Sequence, residues 1–90
     1  MNALGVKPSA IRLFIKSGCG WCDEAMEWLE ARGIDYKQLN VSVDAASFQE
    51  MVRLSGQTLA PVIDVDGEVL ADFGADELEA WWKDMGFQPA

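Results

Sequence analysis

Histidine is missing altogether, and cysteine occurs only twice in 90 residues. Without an imidazole, His-assisted catalysis and His-containing metal sites are excluded. Two cysteines cannot supply the four protein ligands of a mononuclear zinc centre within one chain, so no metal site of that kind is expected. No apolar run approaches the roughly 20 residues of a membrane-spanning helix. The apolar stretch at residues 10–15 is short and interrupted by Arg12, which does not make a secretory signal. Cations are scarce as well: seven Lys and Arg stand against fifteen Asp and Glu, a net charge of −8. Phosphate binding draws on clustered cations, so a nucleic-acid surface is excluded, and the acid surplus reads as a solubility device. The expectation is a cytoplasmic monomer with neither nucleic acid nor membrane as partner.

What is present suffices for one domain. Half the residues are hydrophobic and a quarter are charged, ordinary proportions for a chain with a single core. Residues 1–9 hold Gly5 and Pro8 without periodicity and read as a flexible leader, which leaves residues 10–90 as the domain. Ile11, Leu13 and Ile15 alternate with Arg12, Phe14 and Lys16, as a strand requires. From Gly20 the period becomes helical, with Cys22, Ala25, Met26 and Leu29 on one face and Gly33 as the stop.

Residues 34–41 form a second extended run with Ile34, Tyr36 and Leu39 inward. Asp44 then caps a helix that turns Phe48, Met51 and Val52 inward and ends at Gly56. Two short strands, residues 61–65 and 68–72, flank Asp66-Gly67, a strong hairpin signal. Leu78, Trp81, Trp82 and Met85 form the apolar stripe of a last helix that Gly86 closes. The order β-α-β-α-β-β-α calls for a parallel right-handed crossover followed by an antiparallel hairpin. That is an α/β fold of three layers, a four-stranded mixed sheet with helices on both faces.

Both cysteines lie in Lys16-Ser17-Gly18-Cys19-Gly20-Trp21-Cys22, at the strand-to-helix junction. In a reducing compartment such a pair reads as a redox dithiol rather than a structural bridge. Cys19 falls at the helix N-terminus, where unpaired N–H groups stabilise a thiolate, and Lys16 adds a positive charge. Asp23 and Glu24 oppose this, so a moderate depression of the Cys19 pKa is expected. Gly18 and Gly20 let the loop turn tightly. Cys22, one turn on, shares the apolar face. Cys19 is thus the attacking thiol, and Cys22 the resolving one.

Two further features stand out. Pro61 opens a strand, a position proline tolerates. A cis bond there would turn the Ala60 N–H and C=O toward a bound peptide, whereas a trans bond would make Pro61 an ordinary strand entry. In Phe73-Gly74-Ala75-Asp76, a glycine precedes a helix N-terminus, a natural seat for a carboxylate, with Asp76 either facing an amine or serving as a cap.

With these pieces in order, the chain resembles the glutaredoxins, a branch of the thioredoxin fold, over roughly residues 10–85. The resemblance rests on the Cys19 motif, on Ser55-Gly56-Gln57-Thr58-Leu59-Ala60-Pro61, and on Phe73-Gly74-Ala75-Asp76-Glu77-Leu78. It implies a glutathione-dependent disulfide oxidoreductase acting on protein or glutathione mixed disulfides, with a cis Pro61 and a glutathione groove. Lys16, Trp21, Ala60, Pro61, Gly74, Ala75 and Asp76 would line that groove. Lys16 would meet the glycyl carboxylate, the Ala60 backbone the cysteinyl unit, and Ala75 with Asp76 the γ-glutamyl end. Leu13 stands where thioredoxins proper keep a buried acid.

The chain also departs from the family pattern. Leu59-Ala60 replaces Thr-Val, Gly20-Trp21 replaces Pro-Tyr, and Phe73-Gly74 replaces Gly-Gly. The last change resembles the glutaredoxin-like electron donors of ribonucleotide reductase, which take electrons from thioredoxin reductase. Loss of the motif proline resembles glutaredoxins that hold a [2Fe–2S] cluster between two protomers with glutathione. A third alternative is an interaction module with idle thiols that docks through Trp81 and Trp82.

Overall fold

The computed structural model describes residues 6–89. Seven elements follow in the expected order: β1 (Ile11–Ile15), α1 (Gly20–Ala31), β2 (Lys37–Asn40), α2 (Ala45–Ser55), β3 (Val62–Val65), β4 (Glu68–Ala71) and α3 (Ala75–Asp84). The strands form one sheet in the order β2-β1-β3-β4. β1 and β2 run parallel across α1, while β3 lies antiparallel to both β1 and β4. The architecture is the thioredoxin-like α/β arrangement.

Strand alternation divides the molecule in two. Ile11, Leu13 and Ile15 of β1, Ile63 and Val65 of β3, and half-buried Leu70 of β4 face α1 and α3. That face is closed by Cys22, Ala25, Trp28, Leu29, Phe73, Leu78 and Trp82. Phe14, Val62 and Met51 form a smaller cluster on the α2 face. Beside it Arg12 bridges to Asp64 through Nε at 2.9 Å and Nη2 at 2.7 Å, and to Glu50 at 3.2 Å. Phe14, on the alternate face of β1, is fully buried as well, because α2 covers the second face of the sheet.

The buried set differs from expectation at several residues, among them Val52, expected inward on α2 but only half-buried. Phe48 is 39% exposed, whereas Ser47 and Met51, one helical turn apart, face the sheet; a helix that aims those two inward turns Phe48 toward its flank. Trp28 is buried three residues beyond Ala25, and Met26 only half so. The second strand is limited to Lys37–Asn40, with Ile34 buried in the loop before it.

The stretch read as a leader is tied down at its described end. Val6 bridges to Phe87, donating to the Gly86 carbonyl at 2.7 Å and accepting from the Gln88 N–H at 2.7 Å. Asp66 accepts from the Ser9 and Ala10 N–H groups at 2.8 and 2.7 Å. Residues 1–5 lie outside the described part.

Candidate functional site

Strand register brings the three sequence motifs to one end of the sheet. β1 runs toward residues 16–19, and Phe14 pairs with Val62, so Ala60 and Pro61 enter β3 at that same end. Val62 pairs in turn with Ala71, which puts the Phe73-Gly74 turn there too. Helices α1 and α3 therefore both begin at this end, and they run side by side. Trp28 meets Trp82 edge-to-face at 5.5 Å, and Trp28 Nε1 donates to Glu79 at 3.2 Å.

Cys19 is the N-cap of α1 and is joined to Cys22 in a disulfide, with Cα atoms 5.2 Å apart. The Cys22 N–H donates to Cys19 Sγ at 3.2 Å, so the sulfur itself takes up one of the helix's unpaired donors. Cys19 is half-buried, whereas Cys22 is wholly buried. Cys19 is partly open to solvent while Cys22 backs fully onto the core. Gly18 has φ +72°, a left-handed conformation that a side chain would oppose. Gly20 carries no such requirement: it is the first helical residue, and a Cβ there would meet nothing within 4 Å. Only one of the two motif glycines is needed for the turn.

The loop before Cys19 is held by polar residues that the sequence reading did not single out. The Ser17 N–H donates to Ser42 Oγ at 3.1 Å, and Asn40 Nδ2 donates to Ser17 Oγ at 3.3 Å. Asn40 Oδ1 in turn accepts from the Ser42 N–H at 2.8 Å. The first two bonds tie residue 17 to the exit of β2, and the third holds that turn together. The signal for them is an Asn-x-Ser pair just past a strand, a local turn pattern whose distant partner only the β1–β2 register supplies.

The Ala60–Pro61 peptide is cis, and Pro61 is buried. Gln57 grips the residue before it: its Oε1 accepts from the Leu59 N–H at 2.6 Å and its Nε2 donates to the Leu59 carbonyl at 2.9 Å. Among the described residues the Ala60 N–H and C=O make no hydrogen bond. Leu59, at the position where a Thr-Val-Pro pattern has Thr, is half exposed.

Gly74 is the N-cap of α3, and its N–H is already taken by Glu77 Oε1 at 2.6 Å. The open donors of this seat are therefore those of Ala75 and Asp76 rather than of Gly74. Asp76 and Lys16 are exposed, Ala75 half-buried, and the Trp21 ring is 52% exposed. Cys19, Ala60 and Ala75 all pack against the one α1/α3 core, which ties the three motifs to a common support.

Comparison with known proteins agrees with this geometry. Residues 11–70 match the glutaredoxin family model. An uncharacterized glutaredoxin-like 8.6 kDa protein from the rubredoxin operon of Clostridium pasteurianum is 33% identical over 69 residues, covering 77% of this chain and 92% of that one. Glutaredoxin 3 of Escherichia coli K12 is 29% identical over 79 residues, covering 88% and 93%. Among solved structures, the thioredoxin-like protein BC3987 superposes with a TM-score of 0.72 at 26% identity, over 78% of this chain and 96% of that one. The glutaredoxin-like NrdH-redoxin of Escherichia coli, described for its thioredoxin-like activity profile, gives 0.67 at 22% identity, over 80% and 93%.

Proposed function

The chain belongs to the glutaredoxin family of redox proteins, and we propose that it reduces protein or glutathione mixed disulfides through the Cys19–Cys22 dithiol, with glutathione as reductant. The observation that carries this is the asymmetry of the pair: Cys19 caps a helix and reaches solvent, while Cys22 is fully buried. In the reduced protein the Cys19 thiolate attacks a substrate disulfide, forming a mixed disulfide and releasing one substrate thiolate. Cys22 then gives up its proton and attacks Cys19 Sγ, releasing the second thiolate and leaving the intramolecular disulfide. The substrate gains two electrons and the protein loses them. Two glutathione thiols restore the dithiol and leave as glutathione disulfide.

Glutathione would lie along the sheet end described above. The free Ala60 N–H and C=O offer it strand-like pairing, and Pro61 fixes that turn. The open Ala75 and Asp76 N–H groups suit its γ-glutamyl carboxylate, with the Asp76 side chain toward the amine. Lys16 suits the glycyl carboxylate, and Trp21 flanks the sulfur. A cytoplasmic, reducing setting goes with this reading.

A second reading has a specific observation behind it. The Gly74 N–H is withdrawn by Glu77, and Leu59 stands where Thr would meet the ligand. Both weaken a glutathione groove and favour thioredoxin reductase as electron source, in the manner of an NrdH-like donor. The decisive experiment follows NADPH oxidation on a small mixed disulfide with glutathione plus glutathione reductase, and separately with thioredoxin reductase. Wild type, Cys19→Ser and Cys22→Ser are compared. Turnover with glutathione that survives Cys22→Ser but is abolished by Cys19→Ser upholds the glutathione groove. Turnover only with thioredoxin reductase, requiring both cysteines, replaces it with the second reading. No turnover in either system overturns the redox function and directs attention to glutathione-assisted [2Fe–2S] carriage, which visible absorbance of freshly purified protein would reveal.

A further inference from the structure

Of the seven cations in the chain, one lies at the disulfide end of the sheet. Arg12, Arg53, Arg32 and Lys83 are held in ion pairs with Asp64, Glu50 and Glu79. Lys37 pairs with Arg12 near the start of β1, and Lys7 precedes the Ser9–Asp66 contact at the far end of the sheet. Only Lys16 remains. Around the same end stand Asp23 and Glu24 on the first turns of α1, Asp72 in the turn after β4, and Asp76 with Glu77 at the start of α3. All five are exposed.

A second observation is independent of that charge count. Trp21 lies between the two cysteines in the chain and is 52% exposed. Among the described residues it makes no ring contact, cation–π contact or hydrogen bond, unlike Trp28 and Trp82, whose rings and indole N–H groups are engaged. An unpartnered indole on the same first turns of α1 as Asp23 and Glu24 suits ammonium or guanidinium groups, because the ring quadrupole and carboxylates attract the same charge. Leu59, half exposed in the loop before Pro61, extends the apolar surface at this end.

We propose that the protein selects polypeptide disulfides flanked by lysine or arginine, with Trp21 receiving a cationic side chain and Asp23, Glu24 and Asp72 steering it in. The inference rests on the redox reading above and names the substrate class for that site. Exposed charges act over roughly 10 Å at 0.1 M salt, so the preference belongs mainly to encounter and weakens as salt is added. A glutamate-flanked disulfide meets the same field as repulsion.

The test uses pre-reduced protein in a single turnover, so that no external reductant enters. The probes are peptides that share one disulfide and carry lysine, serine or glutamate on both flanks. Acid-quenched products are resolved by mass spectrometry. At low salt the lysine-flanked peptide is expected to be reduced about tenfold faster than the glutamate-flanked one, with the gap narrowing severalfold at high salt. The triple variant Asp23→Asn/Glu24→Gln/Asp72→Asn is expected to lose most of the lysine preference, read as the ratio of the lysine-flanked to the serine-flanked rate so that any change in Cys19 reactivity common to all peptides cancels.

Equal rates for all three peptides, or a glutamate preference, overturn the inference and leave the redox function standing. A preference that survives the triple variant also overturns it, because the acids would not be its cause. Failure to reduce any of the three removes the redox reading itself.

Discussion

The two faces of the sheet are built by different means. On the α1/α3 side, Trp28, Trp82 and Phe87 meet edge-to-face at 5.1–5.5 Å over Leu13, Ile15 and Ile63, and the Cys22 sulfur sits in that apolar mass. On the α2 side a small cluster of Phe14, Met51 and Val62 is supplemented by Arg12, Asp64 and Glu50. The redox pair is carried by the dry face. A close-packed core keeps the Cys22 sulfur from solvent while holding it beside Cys19, and the Arg32–Glu79 pair on that side stays at the partly exposed α1/α3 seam. The α2 face carries no reacting group and tolerates ion pairs.

Truncating one large residue on each face tests this difference most strongly. Trp82→Ala removes a wholly buried ring together with its hydrogen bond to the Pro89 carbonyl, and should cost about 3–5 kcal/mol in urea unfolding. Disulfide reductase activity should fall with it, since Cys22 shares that core. Met51→Ala should cost less, about 2–3 kcal/mol, because half-buried Leu54 and Val69 can move into the space. Activity per folded molecule should be retained. Equal losses of specific activity in the two variants would show that the faces are not separable.

The pH limits of stability divide along the same line. Glu50 is held at about 2, well below its ordinary 4.5, first by the Arg53 hydrogen bond and then by Arg12. A depressed carboxylate contributes stability above its unfolded pKa and loses it as protons bind the native state. This acid limb should therefore appear as pH falls from about 4.5 to 2 and shrink in Glu50→Gln, read by circular dichroism in urea. High salt should shrink it also, because Arg53 is largely exposed.

On the other face Tyr36 is pushed up to about 12, chiefly by burial, with its O–H donated to Glu30 at 2.6 Å. Here the native state resists losing a proton that the unfolded chain gives up. The contribution is complete below pH 10 and declines as pH rises toward about 12. Phenolate absorbance should titrate late in the native protein, and Tyr36→Phe should remove that alkaline limb. This is the smallest of the expected effects.

Much of this was legible in local pattern. The strand-to-helix change at Gly20 located α1, and Asp66-Gly67 located the hairpin, where Asp66 at φ 52° and Gly67 at φ 96° adopt the left-handed turn. The Cys19–Cys22 spacing needed no fold to be noticed, since three residues along a helix N-terminus bring two side chains together. The sequence order also called for helices on both faces of the sheet, but not for which residues the second face would bury. Phe14 alternates correctly, but only the presence of α2 above it decides that both sides of β1 are covered.

What sequence alone determined, then, was everything governed by neighbours within a few residues: element type, order, the turn residues, and the pairing of the two thiols. Tertiary structure decided what depends on partners far along the chain. Ser17 is tied to Asn40 and Ser42 because β1 and β2 run parallel, and Trp28 shares Glu79 with Arg32 because α1 and α3 lie side by side. The joining of residues 16–22, 60–61 and 73–76 at one end of the sheet follows from strand register, which pairs Phe14 with Val62 and Val62 with Ala71. Register is set by which side chains both faces can bury, a property of the assembled layers that no short window contains.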